Sequence, residues 1–272
     1  MRKTILITGA TDGIGLNTAK RLAQLGHRVL LHGRSEAKLR QAQADIQQTS
    51  NDESVQGYLA DLSHLSQAER LAGDVVSDHP SIDVLINNAG VFAVNEPRTD
   101  DGLDVRFAVN TIAPYILAKR LIPALGSDGR IVNVSSAAQA PVNLSALSGT
   151  GTLSDGDAYA QSKLALIMWT NQMAASLGND GPMMVSVNPG SLLASKMVKR
   201  AFGIDGKDLS IGSDILVRAA TSNEFDKASG RYYDNDSRRF GQPHHDALNV
   251  DKSAAVVQTM DAILSEVLAA SR

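Results

Sequence analysis

The chain has 272 residues, 43% of them hydrophobic and 20% charged, and a formal net charge of −3. That balance suits one large α/β domain with a full core and gives no electrostatic basis for nucleic-acid or acidic-membrane binding. Zero cysteines exclude disulfides, thiolate catalysis and thiolate-held metals.

The first predicted strand, residues 4–8, runs straight into Gly9-Ala10-Thr11-Asp12-Gly13-Ile14-Gly15. Its apolar stretch ends after Ile7, far short of a signal-peptide core or the about 18 apolar residues of a membrane span. The expectation is a soluble cytoplasmic protein. Glycines let the backbone turn sharply and approach a bulky anion. The predicted helix at 16–25 then presents its N–H groups and positive dipole end to phosphates. The spacing is G-x-x-x-G-x-G rather than G-x-G-x-x-G.

Further strands are predicted at 28–32, 55–60, 84–87, 130–135 and 183–188. Helices are predicted between them at 35–48, 65–77, 103–125 and 159–177. Such alternation implies right-handed βαβ crossovers. The fold class is therefore α/β, a Rossmann-type doubly wound parallel sheet of about seven strands with helices on both faces. Residues 137–157 and 191–210 break the rhythm with small and apolar residues, among them Met197 and Phe202. Both follow strand ends on the edge where open α/β sheets bind ligands. The second is the core of a variable substrate-lid region at about 191–212. The apolar positions in 254–268 repeat at helical spacing, giving a terminal helix at about 250–270 packed on the sheet.

Tyr159 and Lys163 stand at i and i+4, on one helix face. A phenol is a poor acid or base at neutral pH, and a nearby cation favours its ionised form. The pair alone is weak evidence. Its place in an ordered series is stronger: the glycine turn, Asp61-Leu62, Asn87-Asn88-Ala89-Gly90, Asn110, Ile131 to Ser136, Tyr159 to Lys163, and Asn188-Pro189-Gly190.

In that series the chain resembles the short-chain dehydrogenase/reductase family, from Lys3 to about Gly190. The resemblance implies catalytic roles for four residues. Tyr159 exchanges the proton, and Lys163 lowers its pKa and holds the nicotinamide ribose. Ser136 binds the substrate oxygen, and Asn110 holds a water linking Lys163 to solvent. It also implies cofactor contacts from Gly9, Thr11, Asp12, Gly13, Ile14, Gly15, Asp61, Leu62, Asn88, Ala89, Gly90, Pro189 and Gly190, besides Tyr159 and Lys163. Ser136 matches the family's serine better than Ser135, whose expected partner is nearby backbone. Asp61 is expected to accept from the adenine amino group, the alternative being a cap on the turn after strand three. Ser136 and Tyr159 are separated by 22 residues, about ten more than is common in the family and similar to retinol-dehydrogenase-like members.

No carboxylate ends the second strand; His32-Gly33-Arg34-Ser35 does. An acidic residue there would repel a 2′-phosphate, whereas Arg34 contacts phosphate bidentately and Lys38 adds charge. NADP(H) is preferred over NAD(H), with Asp12 and Glu36 arguing mildly the other way. His244-His245-Asp246 is not read as a metal site, because adjacent histidines point apart. Residues 234–239 read as a solvated turn. Trp169 and Met173 are assigned to core or subunit packing.

The expected function is an NADP(H)-dependent oxidoreductase exchanging hydride with a carbonyl or secondary alcohol, leaning towards ketone or aldehyde reduction. The alternative is a catalytically silent nucleotide-binding relative, which the presence of serine, tyrosine and lysine disfavours. Epimerases and dehydratases with the same site have a larger C-terminal lobe than the residues after Gly190 provide. A homo-oligomer formed through the helices at 103–125 and 159–177 is possible on the same resemblance.

Overall fold

The computed structural model of the protein describes residues 1–50, 55–194, 198–199 and 203–270. Met197 and Phe202 lie outside the described residues. Runs of Val, Ile and Leu set the strands: β1 Thr4–Ile7, β2 Arg28–Gly33, β3 Gln56–Leu59, β4 Val84–Asn87, β5 Arg130–Val134 and β6 Met183–Asn188. Every residue of β4, β5 and β6 is buried, as strands covered on both faces must be. Two more strands follow, β7 Arg231–Asp234 and β8 Arg239–Gly241.

The sheet order is β3-β2-β1-β4-β5-β6-β7-β8, parallel throughout except for the β7–β8 pair. Among the described residues the count is thus eight rather than about seven, and the last strand is antiparallel. Residues 234–239 form the turn of that terminal hairpin. Tyr-Tyr flanked by charges in a four-residue strand carries too little apolar pattern to announce it.

Side chains alternate between the two faces with period two. Leu6, Leu30, Leu85, Ile131 and Met184 face a layer of α3 Leu65–Asp78, α5 Ala113–Leu125, α7 Asp155–Leu177 and α9 Val250–Ala270. Ile5, Ile7, Leu31, Val84 and Val185 face the opposite layer of α1 Gly13–Gln24, α2 Glu36–Ser50 and α8 Leu209–Thr221.

The helix expected over 103–125 is not uniform. A short α4, Val105–Phe107, passes into a π turn, Ala108–Ile112, before α5. α7 begins earlier than expected, at Asp155, because Ser154 caps it by accepting from Asp157 N–H. Part of the long 137–157 segment forms α6, Leu144–Leu147. The terminal helix packs on α7 rather than on the sheet, and Asp261 accepts from Tyr115 (3.0 Å) and Lys119 (2.8 Å) of α5. Trp169 is fully buried, its ring 5.5 Å from that of Tyr115.

Candidate active site

The strand order places β1 and β4 side by side, with crossovers leaving in opposite directions. A cleft of about 590 Å³ opens at their carboxyl ends. Gly9, Thr11, Asp12, Gly13, Ile14 and Gly15 line its middle. Gly9 and Gly13 take φ of 65° and 54°, a left-handed backbone that favours glycine. A Cβ at Gly15 would overlap the Gly9 carbonyl oxygen and Asn88 Nδ2, and one at Gly33 would overlap the Thr11 methyl. The cradle is therefore bare backbone on the N-terminal turn of α1, whose first N–H is capped by Asp12 Oδ1 at 2.8 Å.

Asn88 fastens the turn. Its Nδ2 donates to Thr8 O (2.9 Å) and Gly9 O (3.1 Å), while Thr8 Oγ1 accepts from the N–H of Asn88 and of Ala89, both at 3.0 Å. His32, which sequence reasoning passed over, fastens it from the other side. Its Nδ1 accepts from Gly9 N–H at 3.1 Å, so the ring proton sits on Nε2 and bonds Ala60 O at 3.0 Å. Burial pushes its pKa down to about 4, keeping the ring neutral. A buried histidine at a strand end next to the turn was the available signal.

One end of the cleft is lined by Arg34 and Lys38 of the β2–α2 region, with Asp61 and Leu62 across from them. Asp61 Oδ1 accepts from Ser63 N–H (3.0 Å) and Ser63 Oγ (2.7 Å), so the turn-capping role exists. Burial raises Asp61, but those two bonds and the Arg34 and His64 charges outweigh it and hold the carboxyl below its ordinary value.

At the other end, Ser136, Tyr159, Lys163, Pro189 and Gly190 meet, with Ala89 and Gly90 beside them. The Ser136 hydroxyl, which accepts from Ala138 N–H at 3.1 Å, lies close enough to the Tyr159 phenol to favour its ionised form. Burial nevertheless pushes the half-buried Tyr159 phenol above its ordinary pKa, with Ser136 opposing it. The Lys163 ammonium, buried, donates to Val134 O at 2.7 Å and stands 5.8 Å from the centre of the Tyr159 ring. Burial brings the lysine down to about 8. Phe92, another residue the sequence did not flag, sets its ring 4.8 Å from Tyr159.

Asn110 lies behind this end, in the π turn. Its Oδ1 accepts from Val91 N–H (2.8 Å), and its Nδ2 donates to Val91 O (3.0 Å) and Ser162 Oγ (3.0 Å). A Cβ on Gly90 would stand 3.4 Å from Asn110 Oδ1 and 3.6 Å from Lys163 Nζ, which places both groups around one glycine. The Ser135 hydroxyl is buried without the backbone partner expected for it. The His244 and His245 rings do not point apart but lie 4.1 Å centre to centre, and Asp246 beside them is taken by Lys252 at 2.6 Å.

The family profile described as short chain dehydrogenase matches residues 3–203. This chain belongs to the short chain dehydrogenase family. It is 30% identical to human polyprenol dehydrogenase over 254 residues, covering 86% of this chain and 77% of that one. It is 35% identical to human retinol dehydrogenase 11 over 203 residues, 73% of this chain and 64% of that one. Among solved structures, an uncharacterized protein from Mycobacterium paratuberculosis superposes with a TM-score of 0.80 at 27% identity, covering 97% and 93% of the two chains. A metagenomic short-chain oxidoreductase in complex with NADP gives 0.61 at 30% identity, covering 82% and 92%. As a short chain dehydrogenase the protein is an oxidoreductase acting on CH–OH groups of small molecules with a nicotinamide cofactor. Among the described residues no helix is long and apolar enough to cross a membrane.

Proposed function

We propose that the protein is an NADP(H)-dependent reductase of ketones or aldehydes, running the alcohol oxidation in reverse where the cofactor pool favours it. The observation that carries this is the polarity of the cleft. Arg34 and Lys38 stand at one end, the glycine turn in the middle, and Ser136, Tyr159 and Lys163 at the other. Arg34 and Lys38 would hold a dinucleotide's adenosine phosphate, the bare backbone of the glycine turn its pyrophosphate, and the Tyr159 end its nicotinamide. The bound nicotinamide supplies or accepts a hydride.

Everything else falls to the chain's own side chains. Tyr159 gives its proton to the substrate oxygen as hydride reaches the carbonyl carbon, and takes it back in the reverse direction. Ser136, which lines the same cleft as Tyr159, shares that oxygen and stabilises its charge. Lys163 remains charged at neutral pH and stands 5.8 Å from the centre of the Tyr159 ring, so a shift of its ammonium from Val134 O towards the phenol is the step that eases proton loss. Asn110 holds Val91 and Ser162, and so the wall next to Lys163. Asp61 Oδ2, which accepts no hydrogen bond among the described residues, is the acceptor offered to the adenine amino group.

The test is a fluorescence titration of the full chain and of Arg34→Ala with NADPH and NADH, followed by a carbonyl panel. NADPH binding that weakens in Arg34→Ala while NADH binding holds is expected. Stronger NADH binding to the native chain overturns the cofactor preference, and no binding of either overturns the reading.

A further inference from the structure

The turn of the β7–β8 hairpin carries one carboxylate that gathers both ends of a loop. Ser191, directly after the Asn188-Pro189-Gly190 turn, donates its N–H to Asp236 Oδ1 (3.0 Å) and its Oγ–H to Asp236 Oδ2 (2.6 Å). Asn188 Nδ2 also reaches Asp236 Oδ2, at 3.0 Å, and Asp234 Oδ1, at 2.8 Å. From the returning end, Lys207 Nζ stands 3.9 Å from Asp236 Oδ1. Next to this clasp the backbone pairs across the loop, Ala194 N–H to Lys207 O at 2.6 Å and Lys207 N–H to Leu192 O at 2.7 Å.

The clasp is under local constraint. Leu192 takes φ of 57°, a left-handed conformation unfavourable for a leucine. Gly206 opposite takes 75°, and a Cβ there would come within 2.8 Å of Ala194 N and Leu192 O. A non-glycine residue in that region persists only where its surroundings impose it. Asp236 is the charged part of those surroundings. Burial raises its pKa, and the bonds from Ser191 and Asn188 and the Lys207 charge more than offset this, leaving the carboxylate ionised below its ordinary range.

We propose that Asp236 is a positioning residue for the cofactor. Its carboxylate holds Asn188 and Ser191 on either side of Pro189 and Gly190, and this stretch lines the cleft at the Tyr159 end. Its effect is therefore confined to the nicotinamide half of the dinucleotide. This rests on the nicotinamide reading given above. It adds a residue from a hairpin that touches neither the glycine turn nor the arginine end.

The experiment uses the full chain with whichever of NADPH and NADH binds the native protein better. Its adenosine-side fragment, 2′,5′-ADP or 5′-AMP, serves as the internal reference. Hydrogen bonds to a charged group are worth enough that Asp236→Asn should weaken the dinucleotide about tenfold or more. The fragment should bind within about twofold of native affinity on the same scale. Asp180→Asn, which removes an exposed carboxylate at the opposite edge of the sheet, should change neither. Ser191→Ala should weaken the dinucleotide too, and combining it with Asp236→Asn should cost less than the sum of the two. Unchanged dinucleotide binding in Asp236→Asn overturns the proposal. So does a parallel loss of dinucleotide and fragment, the mark of a merely structural role. If the native chain binds neither dinucleotide, the functional reading fails and this one falls with it. If native binding is tight and only the Asp236 result is negative, the functional reading stands alone.

Discussion

The carbonyl oxygen of Gly9 and the amide nitrogen of Asn88 together occupy the space a side chain at Gly15 would need. One is backbone of the cradle itself and the other is the strap that holds it to β4. Gly15→Ala cannot be accommodated by turning a flexible side chain aside. It should cost about 1–3 kcal/mol of stability, as overpacking does, and should abolish most nucleotide affinity. A thermal melt and a nucleotide titration check this; a variant matching the native protein in both would show that the cradle is slack.

Tyr159→Phe removes one hydroxyl and leaves the ring packed beside Phe92. Turnover should fall by about 10²–10⁴-fold, the usual worth of a positioned proton donor. Nucleotide affinity should stay close to native. Steady-state rates on any active carbonyl, set beside the titration, separate the two effects, and a variant that turns over at the native rate would remove Tyr159 from the reaction.

In the proposed site Lys163 sets stability against function. Burial brings its pKa from 10.5 to about 8. Below about pH 8 both folded and unfolded chains hold the proton, and the full penalty of the buried charge is present. Between about 8 and 10.5 the unfolded chain binds more protons, so stability rises with pH as the penalty is relieved. Lys163→Met should therefore melt higher than the native protein at pH 7, by up to about 3 kcal/mol. The gap should shrink as the pH rises through that window while activity is lost throughout. A gap that stays constant from pH 7 to 10 would rule out the buried ammonium as its source.

His32 gives the acid counterpart. Its pKa falls from 6.5 to about 4 in the folded chain. Between those values the unfolded chain takes up a proton that the folded chain refuses, so stability declines as pH falls through 6.5 towards 4. Chemical denaturation at pH 7 and pH 4.5 should show His32→Gln losing less between the two than the native chain does. Equal losses would mean that His32 is not the titrating group.

Much of the site was legible because its parts are local and ordered along the chain. The glycine turn, Asn88, Ser136 and the Tyr159/Lys163 pair all lie at strand ends or on the helices that follow, and the alternating pattern located those ends to within a residue or two. What escaped depends on distance in sequence. His32 matters because Gly9 and Ala60 meet its two nitrogens, and neither neighbour can be inferred from a single strand. Asp236 does stand in a solvated turn, residues 236–239 being exposed, but nothing in 234–239 reveals that Ser191 lies against it. The terminal hairpin was missed for want of apolar pattern. The spacing of Tyr159 and Lys163 gives proximity but not the carbonyl of Val134 that takes the ammonium.

The π turn at Ala108–Ile112 fits one more residue into a turn of helix than an α-helix would. That turn absorbs the surplus, so α4 and α5 keep the phase regular winding would give them, and loss of one residue there leaves α4 in phase. A residue added in the regular winding of α5 instead rotates α4 by about 100° about the axis. Arg106 then swings away from Asp155, its ion-pair partner at the start of the helix that carries Tyr159. Length in this stretch is thus a coordinate of the proposed active site: substitutions are tolerated according to their chemistry, but a one-residue insertion beyond the π turn resets the angle at which its two halves face each other.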